Sequence, residues 1–136
     1  MTKTEAIQTR DAMRQAHVID GLSSVRKALA IMEETGRNAL VIDKRDPQDE
    51  YGLITIGMIA REIFAKNRNP QRVSVYEVME KPALTISAGM QVRYALRLMT
   101  RLGVEHAIVC KGDTLVGVAD LRDMSMCEFR DGQSKA

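Results

Sequence analysis

The chain has 136 residues, 45% of them apolar and 28% charged, with a formal net charge of +2. Such a length makes one compact domain or two very small ones, and each half alone lies near the lower limit for a stable core. The charge is too small to suggest a nucleic-acid partner, and the lack of a long apolar run or a signal-peptide pattern leads us to expect a soluble, cytoplasmic chain with no membrane partner. Cys110 and Cys127 have no metal-type spacing and read as free thiols of a reducing compartment.

In chain order, Thr4 to Met13 reads as a short lead-in helix and His17-Val18-Ile19 as an extended piece closed by Asp20-Gly21. Ser24 is placed to cap a helix. In that helix Val25, Ala28, Leu29 and Met32 fall at i, i+3, i+4 and i+7, one apolar stripe, and Gly36 ends it. Ala39 to Ile42 is a buried strand, Asp43 to Glu50 a charged loop, Tyr51 to Ile56 the next strand, and Met58 to Phe64 a helix. The polar stretch Lys66 to Arg72, interrupted by Pro70, links two halves. Its basic residues have no interleaved aromatics and read as a solvated loop.

The second half repeats the order. Val75 to Met79 is a lead-in helix and Ala83 to Ile86 a short strand. Val92, Ala95, Leu96 and Met99 form the stripe again, ended by Gly103. The apolar runs His106–Cys110 and Thr114–Ala119, split by Lys111-Gly112-Asp113, read as a β-hairpin. A helix opens at Asp120–Asp123 and is expected to continue through Met126, with Phe129 to Ala136 fraying.

These are two copies of one unit. Ala12-Met13 answers to Val78-Met79, Val25 to Val92, Gly36 to Gly103, Ala39 to His106, and Gly52-Leu53-Ile54-Thr55 to Gly117-Val118-Ala119-Asp120, at an offset that stays between 65 and 67 residues. The expected fold class is α/β (α+β), with two βαββα-type repeats that can pack around a pseudo-twofold axis and so bring their strand-to-helix junctions close together. Such junctions set backbone N–H groups beside a cleft and can hold a phosphorylated sugar.

The order Val78-Met79, Val92-x-x-Ala95-Leu96-x-x-Met99-x-x-x-Gly103-Val104-x-His106, Leu115-Val116-Gly117-Val118-x-x-x-Arg122-Asp123 resembles the cystathionine-β-synthase (CBS) domain. Two copies, at 8–66 and 74–128 within a single 1–136 module, resemble a Bateman module, in particular the stand-alone bacterial proteins. The resemblance implies a regulatory protein that binds an adenosyl compound (AMP, ADP, ATP, NAD or S-adenosylmethionine) between its motifs. It implies a homodimer, an unidentified protein target, no required cofactor and no catalysis. The enzyme motifs sought in the sequence are missing, and the two histidines sit at different places in their repeats, so no symmetric metal site is expected.

The family's ribose signature is Gly, two residues, Ser/Thr, two residues, Asp. Gly52-Leu-Ile-Thr55-Ile-Gly-Met58 keeps the hydroxyl and puts Met58 where the carboxylate belongs. Gly117-Val-Ala-Asp120-Leu-Arg-Asp123 keeps the carboxylate and puts Asp120 where the hydroxyl belongs. Asp123 is therefore the expected ribose ligand, or else only a helix N-terminal carboxylate. Asp120 would repel phosphate unless a basic group intervenes, and Arg122, His106 and Arg101 are the candidates. Ligands with little phosphate charge are favoured over ATP.

His106 reads as a phosphate ligand or a strand-edge residue, and Thr55 as a phosphate ligand or a strand end. Thr85 and Ile86 match residues that line the family's purine pocket, with core packing nearly as well suited, and Ala107 is counted with the ligand-binding residues. Among their counterparts, Val18, Ile19, Ala39 and Leu40, packing is favoured. The first site is expected to be empty or to hold a purine by apolar contact. The competing reading of the whole chain is a nucleotide-independent dimerisation or docking module.

Overall fold

A computed structural model of the chain describes residues 6–135, with side chains to residue 134. Thr4 and Glu5 of the expected lead-in, and Ala136 of the expected fraying tail, lie outside the described residues. Two compact units form: His17–Ala83, called the first unit, and residues up to Ala16 together with those from Leu84, called the second.

In the first unit, β1 (Val18–Ile19) leads to α1 (Val25–Thr35), β2 (Ala39–Ile42), β3 (Gly52–Thr55) and α2 (Ile56–Ile59), which runs on as a π-helical turn over Ala60–Phe64. The sheet order is β1-β2-β3, with β1 parallel and β3 antiparallel to β2. The local chemistry explains α1 at both ends. The Ser24 hydroxyl accepts from the Lys27 amide at 3.1 Å, and Gly36 closes the helix at φ 71°, where a side chain is strained. Between those ends, Val25, Ala28 and Met32 turn inward onto Leu40, Ile42, Ile54, Ile59 and Ile63.

The second unit builds the same pattern from β4 (Thr85–Ser87), α3 (Val92–Leu102), β5 (His106–Lys111), β6 (Thr114–Asp120) and α4 (Leu121–Lys135). The sheet order is β4-β5-β6, again parallel then antiparallel. Gly112 turns the hairpin at φ 61°. Strand register matches the two repeats residue for residue at the junction: Ala39 faces Thr55 in one sheet, and His106 faces Asp120 in the other.

Several elements differ from the sequence expectation. Both lead-ins are single 3-10 turns, Thr9–Asp11 and Val75–Glu77, each closed by a reciprocal capping box, Gln8 with Asp11 and Ser74 with Glu77. The short strand before α3 starts two residues later than Ala83, and β3 stops at Thr55 because that residue caps α2. Far from fraying at Phe129, α4 runs to Lys135. Met124 is fully buried in the core of the unit and α4 packs along α3, so tertiary contacts extend a helix whose composition alone is polar.

The lead-ins also change partners. Thr9 N–H donates to Met90 O at 2.7 Å, Arg10 N–H to Ala88 O at 3.0 Å, and Arg14 exchanges two backbone bonds with Val118, both 2.9 Å. The segment before β1 is thus built into the second unit, against β6. Correspondingly, Glu80 exchanges two bonds of 2.9 Å with Leu53 in the first unit. Both crossings run over a glycine. A Cβ on Gly117 would lie 2.6 Å from Arg14 O and 2.7 Å from Met13 Sδ; on Gly52 the nearest atoms would be Met79 Sδ at 3.0 Å and Glu80 O at 3.2 Å.

The backbone oxygen at Gly117 cannot move aside as a thioether can. Gly117→Ala is expected to destabilise by about 1–3 kcal/mol, the range for overpacked sites. Gly52→Ala is expected to cost less, and urea midpoints of the two variants measure the order.

Candidate functional site

The carboxylates predicted at the end of the second repeat sit where β6 hands over to α4. Asp120 is the last residue of the strand, and one of its oxygens accepts from the Asp123 backbone N–H at 3.0 Å. It is therefore the N-cap of α4. Its other oxygen lies 3.1 Å from His106 Nε2 across the β5–β6 ladder. In the first unit Thr55 has the same job: its hydroxyl accepts from the Met58 N–H at 3.2 Å and caps α2. The hydroxyl and the carboxylate are thus alternative solutions to one backbone requirement, which explains how Asp120 can replace a Ser or Thr.

Asp123 stands in the first turn of α4 with a side chain 23% exposed. Its carboxylate takes a forked ion pair from Arg14, Nε to Oδ2 at 2.5 Å and Nη2 to Oδ1 at 3.0 Å. Hydrogen bonding to Asp123, followed by its charge, raises the Arg14 pKa above its ordinary value, and Asp120 adds a smaller pull in the same direction. The Arg14 side chain is 58% exposed, so the pair is worth only about 0–1 kcal/mol to stability. A chain of contacts, His106–Asp120–Asp123–Arg14, therefore lines one corner of the second unit.

Other predicted residues are placed differently. Arg122 and Arg101 are exposed and take no part in that chain of contacts. Ile86 and Ala107 are buried in the second unit's core. Thr85 is exposed on β4, next to Ile108 in register. In the first unit Ala39 is buried opposite Thr55, Ile19 and Leu40 belong to the core, and Val18 is exposed on β1. Met58, half-buried and packed against that core, occupies the place of Asp123. A shallow groove of about 550 Å³ opens near that corner, beside Arg26, Met32, Asn38 and Ile56, and none of the predicted site residues lines it.

Sequence reasoning missed Arg14. The matching of Met13 to Met79 holds a clue, since the next residue is Arg14 in one repeat and Glu80 in the other. Nothing in a linear pattern shows that Arg14 meets a residue 109 positions away.

Two small sheets of this topology, each with a capped strand-to-helix corner, have the fold of a CBS-domain pair. The family model for the CBS domain matches residues 75–126, within a fold that the chain shares with CBS-domain proteins. The matched segment begins at the second lead-in, which structurally is part of the first unit.

Among solved structures, the chain is similar to a hexameric CBS-CP12 protein from bloom-forming cyanobacteria, with 29% identity and a TM-score of 0.88, covering 91% of this chain and 73% of that one. It shares the fold of a CBS domain protein from Pyrobaculum aerophilum complexed with AMP, at 18% identity and a TM-score of 0.75, covering 86% and 89%. A curated relative, an uncharacterised protein of Methanopyrus kandleri, is 26% identical over 98 residues, which are 71% of this chain. The chain spans about half the length of that relative. Among the described residues, no helix is long and apolar enough to cross a membrane.

Capping predicts an order of effects. Asp120→Ala should lose about 0.5–2 kcal/mol, as should Thr55→Ala, while Asp120→Asn retains the cap and most of the stability. Thermal melts of the three variants in parallel are the measurement.

Proposed function

We propose that this CBS-domain pair is a regulatory module that senses an adenosyl compound at the corner formed by His106, Asp120 and Asp123. The two motifs are assigned to residues 8–66 and 74–128. In this reading the module acts as a cytoplasmic homodimer, and ligand binding changes its conformation and its affinity for a protein target. A ligand drives such a change only by its different affinity for the two states.

The observation that carries the reading is the placement of Asp123: a carboxylate, partly exposed, at the start of a helix whose cap is already satisfied by Asp120. A carboxylate has about four acceptor sites, and Arg14 takes two, so a vicinal diol can still bond to it. The AMP complex of the structurally similar Pyrobaculum aerophilum protein supports an adenine nucleotide as the ligand class. Asp120 remains a second negative charge, which favours AMP, a nucleoside or S-adenosylmethionine over ATP. Thr85, exposed on β4, is the predicted purine-side residue open to a ligand; Ile86 and Ala107 lie buried behind it and serve the core. In the first unit Val18 is exposed while Thr55 and Ala39 are buried, Met58 replaces the carboxylate, and any purine there is held by apolar contact.

The ion pair itself favours a second reading. A carboxylate that Arg14 already satisfies is compatible with a dimerisation or docking module that binds no nucleotide.

The two readings separate on one variant. Adenosyl compounds are expected to raise the melting temperature of the native chain, and Asp123→Ala to abolish that rise, with an affinity loss of about tenfold or more per charge-assisted bond. Ligand-free stability should change by no more than about 1 kcal/mol, and the dimer should persist in size-exclusion chromatography. A screen across AMP, ADP, ATP, NAD and S-adenosylmethionine that leaves the native melting temperature unmoved would favour the docking module.

A further inference from the structure

The strand-to-helix corner of the second unit carries two carboxylates, Asp120 and Asp123, facing a proposed ligand whose phosphate is negative. Left as they are, they select against phosphate. The cation that answers them comes from the far end of the chain. Arg14 reaches Asp123 because residues 9–14 cross onto β6 and α4, where Arg14 and Val118 exchange two backbone bonds.

Those bonds decide what happens to Arg14 when the ion pair opens. A half-exposed ion pair adds little to stability, and its rupture cannot dislodge a segment held by backbone bonds at Thr9, Arg10 and Arg14. The Arg14 backbone stays against β6 while its side chain remains free to reorient. Its guanidinium carries five N–H donors, of which the Asp123 fork uses two. The remaining donors are directed from a side chain 58% exposed, and the planar fork suits a phosphate as it suits a carboxylate.

We propose that Arg14 is a ligand-binding residue of this corner and sets its charge preference, making the site select a ribonucleoside 5′-monophosphate over the uncharged nucleoside. Asp123 takes the ribose hydroxyls and Arg14 takes the phosphate, either from its present position or after turning away from Asp123. In the first unit the residue in the equivalent crossing position is Glu80, and it accompanies Met58 rather than a carboxylate. The two corners therefore differ in both members of the pair, and only the second sets an arginine from the crossing segment beside a carboxylate. The assignment rests on the proposed adenosyl reading and adds to it the residue that recognises the phosphate.

Isothermal titration of the full chain with AMP and with adenosine tests it, using the native protein, Arg14→Gln and Arg14→Lys. The native chain is expected to bind AMP more tightly than adenosine, by a margin that shrinks with added salt. Arg14→Gln is expected to lose about tenfold or more in AMP affinity while adenosine stays within about twofold. Arg14→Lys should recover part of the loss. Adenosine binding by the Gln variant doubles as the control for a folded site. Equal loss for both ligands would make Arg14 merely structural, unchanged AMP affinity would remove it from the site, and tighter AMP binding would make it an occluding group; each overturns the assignment and leaves the adenosyl reading standing. A native chain that binds neither compound overturns both.

Discussion

Backbone pairing between a lead-in segment and a strand far away in sequence is the constraint on which the rest of this structure depends. Arg14 with Val118, and Glu80 with Leu53, are each joined by two bonds of 2.9 Å. Each pairing needs the strand to pass under another backbone, and each places a glycine, Gly117 or Gly52, at the point of passage. These glycines are not at positive φ; their role is to have no side chain where two backbones meet. The crossing ties residues 9–14 to elements that lie beyond residue 84, and by doing so it decides which side chains arrive at each strand-to-helix corner.

The corners show how one architecture carries two chemistries. Both need an oxygen to satisfy the first turn of the following helix, and Thr55 and Asp120 both provide it. Once that requirement is met, the remaining positions are free to differ. Ala39, Met58 and Glu80 occupy one set of equivalent places; His106, Asp123 and Arg14 occupy the other. The first set is apolar apart from an exposed glutamate, and the second is linked through Asp120 into a run of polar and charged side chains from His106 to Arg14. Both copies keep the structural oxygen and the crossing, while the linked carboxylates, histidine and arginine occur in the second copy.

Much of the scaffold was readable from residue patterns. The apolar stripes of α1 and α3 lie at helical spacing, Ser24 and the two closing glycines fix their ends, and the paired apolar runs around Gly112 give the β5–β6 hairpin. These features are local, set by neighbours within a few turns, so a linear pattern records them. The lead-ins and α4 were less legible. Capping boxes shorten the former to single turns, and packing against α3 extends the latter, and neither competition is resolved by propensity alone.

The site divides along the same line. By itself, the sequence determined that the unit is duplicated, that the second copy carries Asp123 after its last strand, and that the first copy has Met58 at that place. Only the tertiary structure decided what those residues touch: that Asp120 is a helix cap held beside His106, and that Asp123 is met by Arg14. The physical reason is chain separation. A cap spans three residues and leaves a trace in local spacing, whereas an ion pair across 109 residues is made by a crossing of the backbone that no short-range pattern encodes.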